Sequence, residues 1–283
     1  MKIPKRLQPL LDDGVIDAVI GQLMSGKEAT VYTVRCGREV RCAKVYKDAL
    51  KRSFKKATQY QEGRRVRNSR RARAMEKGSK YGRKQQEETW QNAEVDALYL
   101  LANAGVRVPR PYGCFDGVLL MELVTDDQGD VAPRLGDVSM SAEQAIEDHA
   151  IMMHYVVLML CAGIVHGDLS EFNVLVDDYG PVVIDLPQAV DASANNHAQS
   201  MLQRDVANMT HYYGQFAPEL LETQYAEEMW ALYEDGELKP DTILTGRIDT
   251  TDGESDVDGV LAEIKAVLFE EQKRQERLAQ ADE

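Results

Sequence analysis

Cysteine is scarce in this 283-residue chain: the four present, Cys36, Cys42, Cys114 and Cys161, form no CxxC pair and have no histidine at zinc-ligand spacing. That excludes a disulfide-stapled scaffold and a structural zinc site, and it points to reduced thiols in the cytoplasm. Long apolar runs are missing as well. The longest stretch without a strongly polar residue, Tyr155 to Val165, falls far short of the roughly 18 residues that span a bilayer. The opening MKIPKRLQPLLDDG lacks a signal-peptide core, so no membrane role is expected. A full GxGxxG loop is absent too. The nearest approach to a phosphate loop, GQLMSGKE at 21–28, misses the Walker A pattern because Glu28 stands where a hydroxyl would hold Mg²⁺. Ala29 to Val34 then reads as a strand, where a P-loop requires a helix.

A hydrophobic fraction of 44% is enough for one bilobal domain or two small ones. The net charge of −14 is unevenly spread. From Lys51 to Lys84 there are 14 Lys or Arg against two Glu, a local +12, which leaves −26 on the rest. Within a Debye length of roughly 8 to 10 Å such a segment acts as a cation whatever the total charge. It reads either as a solvated linker or as an arm that grips RNA phosphates or an acidic partner.

The chemistry concentrates in Ile164 to Val190, IVHGDLSEFNVLVDDYGPVVIDLPQAV. Asp168 precedes Asn173 by five residues. Two β-branched runs, Asn173–Val176 and Val182–Asp185, flank turn residues 177–181 and predict a hairpin that holds Asn173 and Asp185 together. An acid to position an attacking hydroxyl, an amide to hold one Mg²⁺ and a second acid to hold metal on the phosphates are what phosphoryl transfer by the protein-kinase scheme requires. Upstream, Glu39–Tyr46 predicts a strand whose lone charge between Ala43 and Val45-Tyr46 is Lys44, the candidate for the nucleotide phosphates. Its acid partner should lie on a helix over about 85–103, where Glu87, Glu88 and Glu94 compete. Glu94 borders the apolar side marked by Trp90, Ala93, Ala97, Leu98 and Leu101. Further helices are predicted over 141–162, with Ser141 and Gln144 as a capping box, and over 201–213. Short helices are expected over 4–20.

Two departures from the ordinary kinase pattern narrow the family. Gly167 stands where most protein kinases carry Arg, and the metal loop reads Asp185-Leu186-Pro187. SGKEATVY, HGDLSEFN and IDLPQAV, in that order, resemble the loops of the RIO family of atypical protein kinases over roughly Leu23 to Tyr213. HGD also opens the loop of kinase-fold phosphotransferases that act on aminoglycosides or choline.

The resemblance implies an α+β fold: a trimmed bilobal protein-kinase-like architecture with an antiparallel sheet lobe over a helical lobe and no ordinary activation segment. Together with the helical spacing at the two ends, it divides the chain into a helical extension over 1–20, a sheet lobe over 21–121 carrying the basic insert, a helical lobe over 122–240 and an acidic, amphipathic helical tail over 241–283. It implies a serine/threonine kinase, an ATPase, or both, with ATP and Mg²⁺, or Mn²⁺ in its place. The nucleotide set is Ser25, Gly26, Lys27, Glu28, Val31, Lys44, Glu94, Met121, Glu122 and Val124, the last three as the hinge that reads adenine. The metal ligands are Asn173 and Asp185, Asp168 is the catalytic residue that aligns the acceptor, and Asp185 is an alternative phosphate acceptor through an acyl phosphate. A ribosomal particle or RNA is the partner implied for the basic segment. The alternative activity is small-molecule phosphotransfer.

Overall fold

A computed structural model describes residues 3–26, 29–47 and 94–247. The basic segment 51–84, Lys27, Glu28, Glu87, Glu88 and the tail from 248 lie outside the described residues.

The first lobe is built on alternation. Five antiparallel strands, β1 (Ala18–Ser25), β2 (Ala29–Cys36), β3 (Glu39–Tyr46), β4 (Pro111–Phe115) and β5 (Val118–Glu122), lie in the order β1-β2-β3-β5-β4. On β3 and β5 the register pairs Ala43 with Leu120 and Val45 with Val118, while Lys44 faces Leu119 and Cys42 faces Met121. Opposed residues share a face, so the two sets point to opposite sides of the sheet. Ala43, Val45, Val118 and Leu120 meet Leu7 and Leu10 of the N-terminal segment, which carries the short helix α1 (Gln8–Asp12), together with Ile16. Lys44 therefore points into the other face, with Tyr46 two residues on. Only part of the 4–20 stretch is helical: residues 18–20 are already β1, edge-paired to β2.

Residues 94–103 form a helix, α2, that buries Ala97, Leu98 and Leu101 in the larger core. The second lobe centres on α3 (Ala142–Cys161), capped by Ser141, whose Oγ accepts from the Gln144 N–H at 3.2 Å. With both sides apolar, this helix is buried against α4 (Ala198–Tyr213) and α5 (Tyr225–Glu234). Between α3 and α4 run β6 (Ile164–Val165), the hairpin β7 (Val174–Asp177) and β8 (Gly180–Val183), and β9 (Val190–Asp191), which pairs with β6. The link from Asp185 to α4 is too short for a long activation segment, and Pro218–Glu222 is a 3-10 turn. The architecture is thus the expected sheet lobe joined to a helical lobe.

Two expectations need correction. The hairpin closes over Asp178-Tyr179 and its second strand ends at Val183, so Asp185 is not a strand residue. Residues 241–247 are not helical but pack onto α5: Leu244 is buried, and Glu228 accepts from the Thr245 and Gly246 N–H groups.

Candidate active site

Lys44 is the centre of the site. Its Nζ donates to Glu94 Oε1 and to Asp185 Oδ1, each at 2.6 Å, and the other Glu94 oxygen, Oε2, accepts from the Tyr46 hydroxyl. Burial alone would lower the lysine's pKa, but the two carboxylates outweigh it and raise it, so the ammonium stays charged. Glu94 is buried on α2, one helical turn before Leu98, which anchors the helix in the core. Asp185 differs from Glu94: its side chain keeps 44% of its surface open, and only Oδ1 is engaged by the lysine. Burial would raise its pKa, but Lys44, His166 and Arg134 together hold it below the usual carboxylate range.

The loop that brings Asp185 here is bent. Ile184 N–H donates to Asn173 O at 3.0 Å, closing the hairpin stem, and Asp185 then takes φ +67°, a left-handed conformation for a non-glycine residue. Leu186 and Pro187 are buried behind it, and the turn Leu186–Ala189 turns Gln188 back, so that its Nε2 donates to Asp168 Oδ2 at 3.2 Å. Asn173 Nδ2 donates to Asp168 O at 2.8 Å, so the amide oxygen is the atom this side chain could offer a metal. Asp168, Asn173 and Asp185 are thus tied through one another.

The loop that carries Asp168 is hung from α4. Asp205, 1% exposed, accepts from the Gly167 N–H at 2.7 Å and the Leu169 N–H at 3.0 Å. Asn208 Nδ2 donates to Leu169 O at 2.9 Å, and Arg204 donates to Gly167 O. Gly167 sits at φ +81°, a backbone angle at which the Arg of most protein kinases would be strained. Burial pushes Asp205 up to about 6, against the opposing pull of His166, the two backbone donors and Arg204. Neither Asp205 nor Gln188 was singled out by local pattern. A buried acid on the apolar side of a helix, as Asp205 is beside Val206 and Met209, was the available signal.

On the sheet side, Val31 opposes Lys44 and shares its face. Ser25 Oγ lies 3.3 Å from Thr30 Oγ1, Gly26 N–H donates to Ala29 O at 2.9 Å, and Lys47 Nζ donates to Ser25 Oγ at 3.3 Å. Met121 is half-buried at the end of β5. The Glu122 carboxylate accepts from the Arg110 N–H at 3.0 Å, and Val124 is buried with Ala132 and Val182. Lys27 and Glu28 fall outside the described residues.

The donor set fits Mg²⁺. A carboxylate and an amide oxygen are hard ligands, and this ion is commonly held by one or two carboxylates together with substrate phosphates. Among the described residues no group of three or more His, Cys, Asp or Glu could form a metal cage.

The model of the RIO domain matches residues 30–226. The chain is 36% identical over 207 residues to the RIO-type serine/threonine-protein kinase Rio1 of Haloferax volcanii, covering 72% of this chain and 66% of that one. It is 31% identical over 206 residues to the human serine/threonine-protein kinase RIO1, covering 72% of this chain and 34% of that one. It therefore spans between a third and two thirds of these relatives. In fold it resembles the Rio2 kinase of Chaetomium thermophilum in its ADP/Mg²⁺-phosphoaspartate complex, with a TM-score of 0.56, 17% identity, and 96% of this chain and 80% of that one covered.

Proposed function

Because the chain belongs to the RIO family of atypical protein kinases, we propose that it transfers the γ-phosphoryl group of ATP to a protein serine or threonine hydroxyl. The observation that carries this reading is the buried lysine shared between Glu94 and Asp185, beside a loop that presents Asp168. On this reading Lys44 keeps Glu94 and exchanges Asp185 for the nucleotide's phosphates. Asn173 and Asp185 would hold Mg²⁺, which would supply positive charge to the phosphates. Asp168, oriented by Gln188, aligns the acceptor hydroxyl. As the acceptor oxygen bonds to the γ-phosphorus, the β–γ bridging bond breaks, ADP leaves, and the hydroxyl proton passes to Asp168. Met121, Glu122 and Val124 supply the adenine edge, and Ser25, Gly26 and Val31 cover the nucleotide.

A second acceptor is Asp185 itself. Its open carboxylate surface supports direct attack on the γ-phosphorus with cleavage of the β–γ bridging bond and loss of ADP, giving an acyl phosphate that water hydrolyses to the carboxylate and inorganic phosphate, so that the net reaction is ATP hydrolysis. The similar Rio2 structure holds a phosphoaspartate in that protein. Family membership favours both routes over phosphorylation of a small hydroxylated metabolite. Incubation with γ-labelled ATP followed by hydroxylamine separates them: a labile label marks the aspartyl phosphate, and a stable one marks phosphoserine or phosphothreonine. A chain that neither binds MgATP nor takes up label contradicts the reading.

The basic segment 51–84 extends the proposal to RNA or a ribosomal particle as partner. Counterion release then makes RNA affinity fall with salt by up to roughly 0.7 log units per log unit of salt for each phosphate neutralised. Salt-independent binding argues for a linker.

A further inference from the structure

Arg134 has no ion-pair partner among the described residues. Its backbone is pinned: Pro133 O accepts from Val176 N–H at 2.9 Å, Arg134 itself forms a β-bridge with Leu175, and Gly136 N–H donates to Glu171 O at 3.0 Å. The residue is thus stitched to β7, the strand that leaves Asn173, and to the catalytic loop. From there the half-buried side chain crosses to the other lobe, where Nη2 lies 2.7 Å from Met24 Sδ, immediately before Ser25-Gly26. A thioether is a neutral and weak acceptor. Among the described residues no carboxylate forms an ion pair with this guanidinium, and its buried Nε has no hydrogen-bond partner. An arrangement of that kind costs stability unless a ligand completes it, because a buried donor has been taken from water for nothing.

We propose that Arg134 binds the phosphates of the nucleotide, clamping them from the helical lobe between the Ser25-Gly26 loop and the strand that follows Asn173. This rests on the functional reading above and adds to it a phosphate-binding side chain. Among the described residues the neighbouring lysines are engaged, Lys44 by Glu94 and Asp185 and Lys47 by Ser25 and Gly26, whereas the Arg134 guanidinium is met by the Met24 sulfur alone. A planar guanidinium forms paired, charge-assisted hydrogen bonds with phosphate oxygens, so a tenfold or larger share of the affinity is expected from it.

The test is calorimetry on the full chain with ATP, ADP and adenosine in the presence of Mg²⁺, alongside melting curves without ligand. Arg134→Met should weaken ATP and ADP by about tenfold or more, leave adenosine within about twofold, and melt unliganded at or above the parent temperature, since the uncompensated cation is gone. Arg134→Gln should show the same selective loss, and Arg134→Lys should recover part of it. Equal affinity for ATP in parent and Arg134→Met, or an equal loss for adenosine, overturns the assignment. So does a variant that melts well below the parent, because the arginine is then structural. A parent that binds no MgATP overturns the reading of the whole site and this inference with it. A parent that binds while Arg134→Met binds as tightly overturns only the inference.

Discussion

Replacing Glu94 by Ala tests whether the site is preorganised by a buried ion pair. The substitution removes one of two acids on Lys44 and strands the Tyr46 hydroxyl, with Glu94 and Lys44 both almost fully covered. Breaking such a pair costs about 3–5 kcal/mol. Because Asp185 stays on the lysine at 2.6 Å, the lower end applies, and the orphaned hydroxyl adds about 1 kcal/mol. A total near 4 kcal/mol corresponds to a fall in melting temperature of about 10 °C for a domain of this size. Glu94→Gln keeps an oxygen for the lysine and an amide for the tyrosine, and should lose less than half as much. Calorimetric melts at low and high salt measure both, and the loss should be nearly independent of salt because the pair is shielded from it. A Glu94→Ala protein that melts within about 2 °C of the parent would falsify the buried pair.

The remaining expectations concern chemistry and pH. Asp168→Asn should leave MgATP affinity within several-fold of the parent but lower phosphoryl transfer by about two orders of magnitude, since an acceptor-aligning acid acts on the transition state; single-turnover kinetics beside calorimetry gives the split, and parent-like transfer rejects the role. Asp185→Asn should weaken ATP with Mg²⁺ far more than ATP without it, and unchanged Mg²⁺ dependence removes Asp185 from the metal. For Asp205, folding raises the pKa from about 4 to about 6 through burial, so its contribution is fully present below about pH 4 and is lost as pH rises through 6. The stability of the parent relative to Asp205→Asn should therefore fall by about 3 kcal/mol between pH 4 and pH 7. Urea melts across that range check it, and a flat difference contradicts the burial of this acid.

Local pattern was informative where the cause is local. Alternation on β3 set Lys44 among apolar neighbours, and the helical spacing that includes Ala97, Leu98 and Leu101 distinguished Glu94 from the acids earlier in the chain, so their juxtaposition was legible. The capping box of α3 and the β7–β8 hairpin were legible for the same reason. Residues 18–20 looked helical because Val15, Ile16 and Val19 sit at spacings that also suit a helix, and β2 pairing decided otherwise. The roles of Gln188, Asp205 and Arg134 were not legible because each works on a partner distant in sequence, Asp168, Gly167 and Met24, and only the fold makes the meeting.

The left-handed backbone at Asp185 restricts which side chains that position can hold. Outside glycine, asparagine and aspartate, residues there lose roughly 1–2 kcal/mol to contact between Cβ and the neighbouring carbonyl. Glutamate, which would preserve both charge and ligand oxygens, is therefore not a conservative exchange: it extends the carboxylate by a methylene and forces a disfavoured main-chain angle on the loop. Among the tolerated three, only aspartate carries a negative charge. In a collection of random variants selected for folding alone, position 185 should drift to Gly and Asn, and it should return to Asp only when selection is for catalysis.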